Sequence, residues 1–145
     1  MLIGIPSLLS PELLKVMMEM GHGDELVIAD GNFPAASIAK RCVRLDGHGS
    51  PEVLDAVMRF FPLDHFVEKP VAFMAVAPGD TYRPIIHQTY RDIIRRYVGG
   101  ANVEEMERFT FYERAKNAYA VVATGERARY ANIILKKGIV VADDE

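Results

Sequence analysis

Apolar residues recur along the chain in two alternating rhythms. Leu13, Leu14, Met17 and Met18 share one face of a predicted helix. Its start is marked by Ser10-Pro11-Glu12: a capping serine, proline at the first helical position and an acid in the first turn. Gly21 ends it, and the unbroken apolar run at residues 26–29 predicts a short buried strand closing at Asp30-Gly31. Residues 42–45 predict a second strand. Ser50-Pro51-Glu52 repeats the helix-start signature, and Val53, Leu54, Val57, Met58 and Phe61 supply that helix's apolar face. The likeness of the two starts reads as two similar caps rather than an internal duplication. Residues 71–77 form a continuous apolar run of the kind found in buried parallel strands. Ile85, Ile86, Tyr90, Ile93, Ile94 and Tyr97 mark a long amphipathic helix, with Arg91, Arg95 and Arg96 off the stripe, able to bind an anion but read as a solvated face or a subunit contact. Thr110 and Glu113 have capping-box spacing, which predicts a helix starting after Phe109. Strands follow at 119–123 and 133–135 around a polar loop at 126–130, a further strand is expected at 139–141, and residues 143–145 are expected to fray.

This alternation, without a long linker, predicts a single α/β domain over residues 1–145 with a largely parallel sheet covered by helices. Ligand sites of such sheets lie at the carboxyl ends of strands. Asp30 and the loop after Ala123 both fall there.

Composition narrows the function classes. The chain has 145 residues, enough for one sizeable core, and a formal net charge of −3. An acidic balance argues against a nucleic-acid partner, whose phosphates call for basic groups. Cys42 is the single cysteine, so no disulfide can form within the chain, and a reducing cytoplasmic setting is the default. The apolar start, residues 1–6, is short, lacks a basic leader and is broken by Pro6, so it does not read as a signal peptide. No apolar run approaches the roughly 20 residues of a membrane span.

Several segments can carry chemistry, and each has a plainer reading. Gly21-His22-Gly23-Asp24 sets a histidine between glycines, suited to proton transfer near neutral pH, or is simply a helix end and turn. Asp30, in Asp30-Gly31-Asn32-Phe33-Pro34, can accept hydrogen bonds from sugar hydroxyls, or can close an Asx-type turn. Arg108 can donate to a polyol, or can form a surface ion pair with Glu104. Tyr112 can stack on a sugar or fill the core. Tyr130 and Asn132 offer a hydroxyl and a carboxamide suited to a neutral ligand, or belong to a solvated loop. His22, His48, His65 and His87 lack metal-ligand spacing, and neither a phosphate-cradling glycine motif nor a nucleophile elbow is present. Cys42, in an apolar strand, reads as packed rather than nucleophilic.

Taken in order, Pro11-Glu12-Leu13-Leu14, Gly21-His22-Gly23-Asp24-Glu25, Asp30 with Phe33-Pro34, Phe111-Tyr112-Glu113-Arg114-Ala115, Thr124-Gly125-Glu126-Arg127, and the run from Tyr130-Ala131-Asn132 to Lys136-Lys137-Gly138 resemble the fucose mutarotase and ribose pyranase family over nearly the whole chain. The resemblance implies an isomerase that interconverts monosaccharide anomers, L-fucose foremost, with no cofactor and no metal. It implies His22 as the catalytic acid–base residue, and Asp30, Arg108, Tyr130, Ala131 and Asn132 as the substrate-binding set. It also implies a single-domain α/β sandwich and a cytoplasmic, ring-shaped homodecamer with active sites near subunit contacts. Arg108 and Gly23 stand where the ribose branch typically carries histidine and threonine, which favours the fucose branch. Ala131 stands where a glycine typifies that branch and matches the ribose branch instead, and Tyr119 stands where phenylalanine is usual.

Overall fold

Ser10 accepts the Leu13 N–H through its hydroxyl at 3.2 Å, and helix α1 (Pro11–Glu19) starts there, as its sequence predicts. The computed structural model describes residues 1–143. After α1 come β1 (Glu25–Ala29), α2 (Ala35–Ile38), β2 (Cys42–Leu45), α3 (Ser50–Met58), β3 (Val71–Met74), α4 (Ile85–Val98), β4 (Val103–Met106), α5 (Arg108–Asn117), β5 (Ala120–Thr124) and β6 (Ile133–Lys136). The strands form one six-stranded sheet in the order β2-β5-β1-β6-β3-β4. Pairs β1–β5, β2–β5 and β3–β4 are parallel, while β6 runs antiparallel to both β1 and β3. The sheet is therefore largely parallel, with one reversed strand inside it. That reversal brings the amino end of β6 to the edge where β1, β3, β4 and β5 end.

Side chains alternate across the sheet even where the strand sequence is wholly apolar, because successive residues point to opposite faces. Leu26, Ile28, Phe73, Val122, Ile133 and Leu135 pack with Leu13, Leu54, Tyr90 and Ile94 of α1, α3 and α4. Val27, Ala29, Met74, Val121 and Ile134 pack with Ala35 of α2 and Phe111 and Ala115 of α5. Both faces are thus covered by helices, and among the described residues no helix is long and apolar enough to cross a membrane.

Several local expectations need correcting. Met18 is exposed, and the buried face of α1 runs through Leu13, Val16 and Met17. The two Ser-Pro-Glu segments are not equivalent. Gly49 caps α3, with Glu52 accepting the Gly49 N–H at 3.0 Å, while Ser50 is buried inside the helix and bonds the Tyr90 hydroxyl. Helix α5 begins at Arg108, because the Glu107 carboxylate accepts the N–H groups of Phe109 at 2.9 Å and Thr110 at 3.0 Å; Thr110 lies within the helix. Strand β3 stops at Met74, before residues 75–77. Strand β4 (Val103–Met106) has no counterpart in the sequence reading, because an edge strand carrying Glu104 and Glu105 shows no apolar run. Residues 139–141 are exposed and form no strand. Of the expected frayed end, Asp143 is exposed, and Asp144 and Glu145 lie outside the described residues.

Candidate functional site

Strand β1 delivers Asp30 to the carboxyl edge of the sheet, and β6 begins beside it. The Asp30 N–H donates to Asn132 Oδ1 at 2.8 Å, tying the two ends together across 102 residues of sequence. Asp30 Oδ1 accepts the Asn32 N–H at 3.0 Å, so the Asx-type turn is present. It does not exclude the binding reading, since the same carboxylate lines a cleft. Burial pushes the Asp30 carboxyl above its ordinary value, against the N–H groups of Asn32, Ala131 and Phe33 and the Asn132 amide, which pull it down.

Tyr130 takes φ 59°, the left-handed region, which is costly for a bulky residue and often marks a functional site. Three contacts hold it. Its hydroxyl donates to Asp80 Oδ2 at 2.6 Å and accepts the Ala77 N–H at 3.3 Å, and its carbonyl accepts from His87 Nε2 at 2.8 Å. Asp80 is held below the ordinary carboxylate range by that hydroxyl, by the Tyr82 N–H and by nearby Arg129. Ala131 is fully buried, and its carbonyl accepts from the Tyr90 hydroxyl at 2.6 Å. It supports the site through its backbone rather than presenting a side chain.

Arg108 opens α5 at the same edge, exposed, with its guanidinium 4.6 Å from the Phe109 ring centre. The ion pair with Glu104 is not formed. Glu104 instead bonds Arg114 at 3.1 Å, and Arg114 also pairs with Glu25. Tyr112 packs edge-on against Phe33, with ring centres 5.3 Å apart, and also lines the cleft.

Asp30, Arg108, Tyr130 and Asn132 thus converge on one open cleft of about 240 Å³, completed by Asn32, Phe33, Met74, Tyr112 and Arg129. Polar and charged side chains beside aromatic rings suit a small, hydroxyl-rich ligand, smaller than the drug-sized ligands that fill larger pockets. Met74 and Asp80 carried no signal in the sequence. The first sits in an apolar run, and the second reads as an ordinary turn residue after Pro78-Gly79.

His22 is not in this cleft. It lies in the turn before β1, and β1 spans roughly 13 Å at about 3.3 Å per residue. Within the chain His22 and Asp30 therefore lie at opposite ends of β1. His22 Nε2 faces Asp64 Oδ1 at 3.1 Å, and its ring tilts against Phe66 with centres 5.4 Å apart. Asp64 carries no signal of this contact in the sequence.

Comparison with known proteins places the chain. Residues 3–140 match the model of the RbsD / FucU transport protein family. The chain is 51% identical over 140 residues to the L-fucose mutarotase of Actinobacillus pleuropneumoniae, covering 96% of this chain and 97% of that protein. It is 50% identical over 144 residues to the fucose mutarotase of Homo sapiens, covering 94% and 93% respectively. A crystal structure of the fucose mutarotase of Streptococcus pneumoniae in complex with L-fucose superimposes with a TM-score of 0.92 at 50% identity, covering 97% of this chain and all (100%) of that one. On the breadth of the match and these identities, the chain belongs to the RbsD / FucU transport protein family.

Proposed function

We propose that this protein, as a single domain over residues 1–145, is a cofactor-independent mutarotase that interconverts the α and β pyranose anomers of L-fucose. One observation carries the reading: Asp30, Arg108, Tyr130 and Asn132 line one small cleft in a chain about half identical to proteins named fucose mutarotase. Asp30 accepts from sugar hydroxyls, and Arg108 and the Asn132 amide donate to them. Tyr112 and Phe33 wall the ring. The Tyr130 hydroxyl is already committed to Asp80, so it orients the ligand and the proton exchanger is His22.

Anomer exchange breaks the C1–O5 bond, rotates C1 about C1–C2 and closes the ring on the other face. Protonated His22 gives its proton to O5 as the bond breaks, while the anomeric hydroxyl loses its proton to water in the cleft. Closure reverses both transfers, so no proton is gained or lost overall. Positioned acid–base catalysis of this kind is worth about 10² to 10⁴ in rate. Because His22 and Asp30 of one subunit lie at opposite ends of β1, a complete site takes His22 from a neighbouring copy. This supports a homo-oligomer with sites at subunit contacts; a ring-shaped homodecamer in the cytoplasm is the form the family resemblance implies for it.

Magnetisation-exchange NMR between the anomers of L-fucose, with catalytic amounts of protein, tests the function. Acceleration above buffer is expected, and its absence overturns the reading. Acceleration of ribose pyranose–furanose exchange in its place moves the chain to the ribose branch. Fucose binding without exchange leaves a non-catalytic sugar-binding module.

A further inference from the structure

Two loops distant in sequence meet on residues 136–138. The Gly23 N–H donates to the Lys137 carbonyl at 2.8 Å, and the Lys137 N–H donates to the Asp24 carbonyl at 2.8 Å, which fixes the His22 turn. On the other side, the Asp64 N–H donates to the Lys136 carbonyl at 3.0 Å, and the Gly138 N–H donates to the Pro62 carbonyl at 2.7 Å. The same three residues thus hold His22 and Asp64 against each other. Asp64 is only 3% exposed, whereas His22 is exposed. A buried carboxylate is costly unless partnered. Asp64 Oδ1 has two partners, the Phe66 N–H at 3.0 Å and His22 Nε2 at 3.1 Å.

We propose that Asp64 is a positioning residue for His22: it holds the imidazole with the proton on Nε2, leaving Nδ1 as the nitrogen that exchanges a proton with the sugar. Burial pushes the Asp64 carboxyl up, but the Phe66 N–H, His22 and Lys136 outweigh it and hold the group below its ordinary value. An ionised carboxylate only accepts, so Nε2 is the donor. Among the described residues no hydrogen bond reaches Nδ1. The other polar groups around the pair are otherwise engaged. Asp24 accepts the Gly21 N–H at 2.7 Å, and Lys137 Nζ donates to the Met17 carbonyl at 3.0 Å. His65 stacks on Phe66 with ring centres 4.2 Å apart, and Lys136 acts on Asp64 through its charge. A second-neighbour carboxylate that sets the tautomer of a working histidine is a general device.

The inference rests on His22 being the proton exchanger, so the experiment separates the two. Nitrogen-15 NMR of the histidines in the wild-type protein reads the neutral tautomer of His22 directly, with His22→Ala supplying the assignment. The Nε2–H form is expected, and a dominant Nδ1–H form overturns the proposal whatever the variants do. Asp64→Ala and the near-isosteric Asp64→Asn, the second in case the first does not fold, are assayed by anomer exchange. Asp64→Ala is expected to mix the tautomers, and both variants to lower kcat by about tenfold, part of the acid–base contribution, with KM for L-fucose within about twofold. A merely structural Asp64 lowers the melting temperature but leaves kcat per folded protein and the tautomer unchanged, which overturns the proposal. If His22→Ala keeps full activity, the catalytic reading of His22 fails and takes this role with it. If His22→Ala is inactive while the folded Asp64 variants match wild type, only the positioning role fails.

Discussion

The Tyr90 hydroxyl donates to the Ala131 carbonyl at 2.6 Å, linking α4 to the segment from which Tyr130 and Asn132 enter the cleft. Tyr90 is fully buried, and burial raises its hydroxyl well above the ordinary value, so it stays protonated as a donor. Behind it, Ser50 bonds the same hydroxyl, and Glu126 accepts the Ser50 N–H at 3.1 Å. A chain of polar contacts thus runs from the loop after β5 to the start of β6. Tyr90→Phe keeps the ring and deletes the donor. Leaving the buried Ala131 carbonyl unpaired costs about 1–3 kcal/mol. Urea unfolding should show that loss. KM for L-fucose should rise more than kcat falls, because the displaced groups bind the sugar rather than move its proton.

Asp30 places stability and function in opposition. Its carboxyl titrates above the ordinary 3.8 in the folded protein because it is buried. The folded chain therefore holds that proton more tightly than the unfolded chain. The ionised group weighs against the fold at neutral pH, and the penalty fades as pH drops through the folded value. Asp30→Asn removes the charge and keeps an oxygen for the Asn32 N–H. The variant is expected to match or exceed wild-type stability at pH 7, with the gap closing in acid, measured by unfolding across pH. Its affinity for L-fucose should fall by about tenfold or more, as befits a lost charged hydrogen bond. Titration calorimetry reads that loss.

The sequence carried the elements with strong periodicity or unmistakable caps. Ser10, the run ending at Ala29 and the apolar face of α3 needed no tertiary information. What it could not carry was anything set by partners far along the chain. Ser50 resembles Ser10 in its neighbours, yet Tyr90 draws its hydroxyl inward, and Gly49 takes the cap. Arg108 starts its helix because Glu107 caps it, a role glutamate seldom fills. Asp30, Tyr130 and Asn132 were legible one by one as polar groups after strands, and only the resemblance grouped them; the antiparallel insertion of β6, which no local pattern encodes, is what brings them together. Asp64 had no signal, since its meaning lies in a histidine 42 residues away. His22 itself was legible as a residue, but its position at the opposite end of β1 from Asp30 was not.

His87 gives the fold an acid-sensitive component. It stacks on Phe73 with ring centres 4.7 Å apart, and burial pushes its imidazole below the ordinary 6.5, outweighing the opposing pull of the Tyr130 carbonyl and Glu105. The unfolded chain therefore takes up this proton first. The contribution is fully present above pH 6.5 and is lost as pH falls from there to the folded value. Wild-type stability should decline as pH falls below 6.5 more steeply than that of His87→Gln, which removes the titration while keeping a donor for Tyr130. Parallel denaturant curves taken across that fall in pH measure the difference; equal slopes would remove His87 from the account.

Gly138 is where the His22 end tolerates least change. A Cβ there would stand 2.6 Å from the Leu63 carbonyl oxygen and 2.8 Å from the Asp64 Cα, both backbone atoms that cannot swing aside. Gly138→Ala must therefore push residues 62–64 away from β6, breaking the 2.7 Å bond to Pro62 and moving Asp64 from His22. Overpacking of this kind costs about 1–3 kcal/mol. The variant should lose that much stability by urea unfolding. At a temperature where it remains folded, kcat for anomer exchange should fall while L-fucose affinity holds, because Asp30, Arg108 and Asn132 sit at the other end of the sheet. Gly47→Ala serves as the control: a Cβ there meets nothing within 4 Å, and both quantities should stay at wild-type values. A loss of affinity in Gly138→Ala equal to its loss of kcat would mean that the two ends of the sheet are not energetically separate.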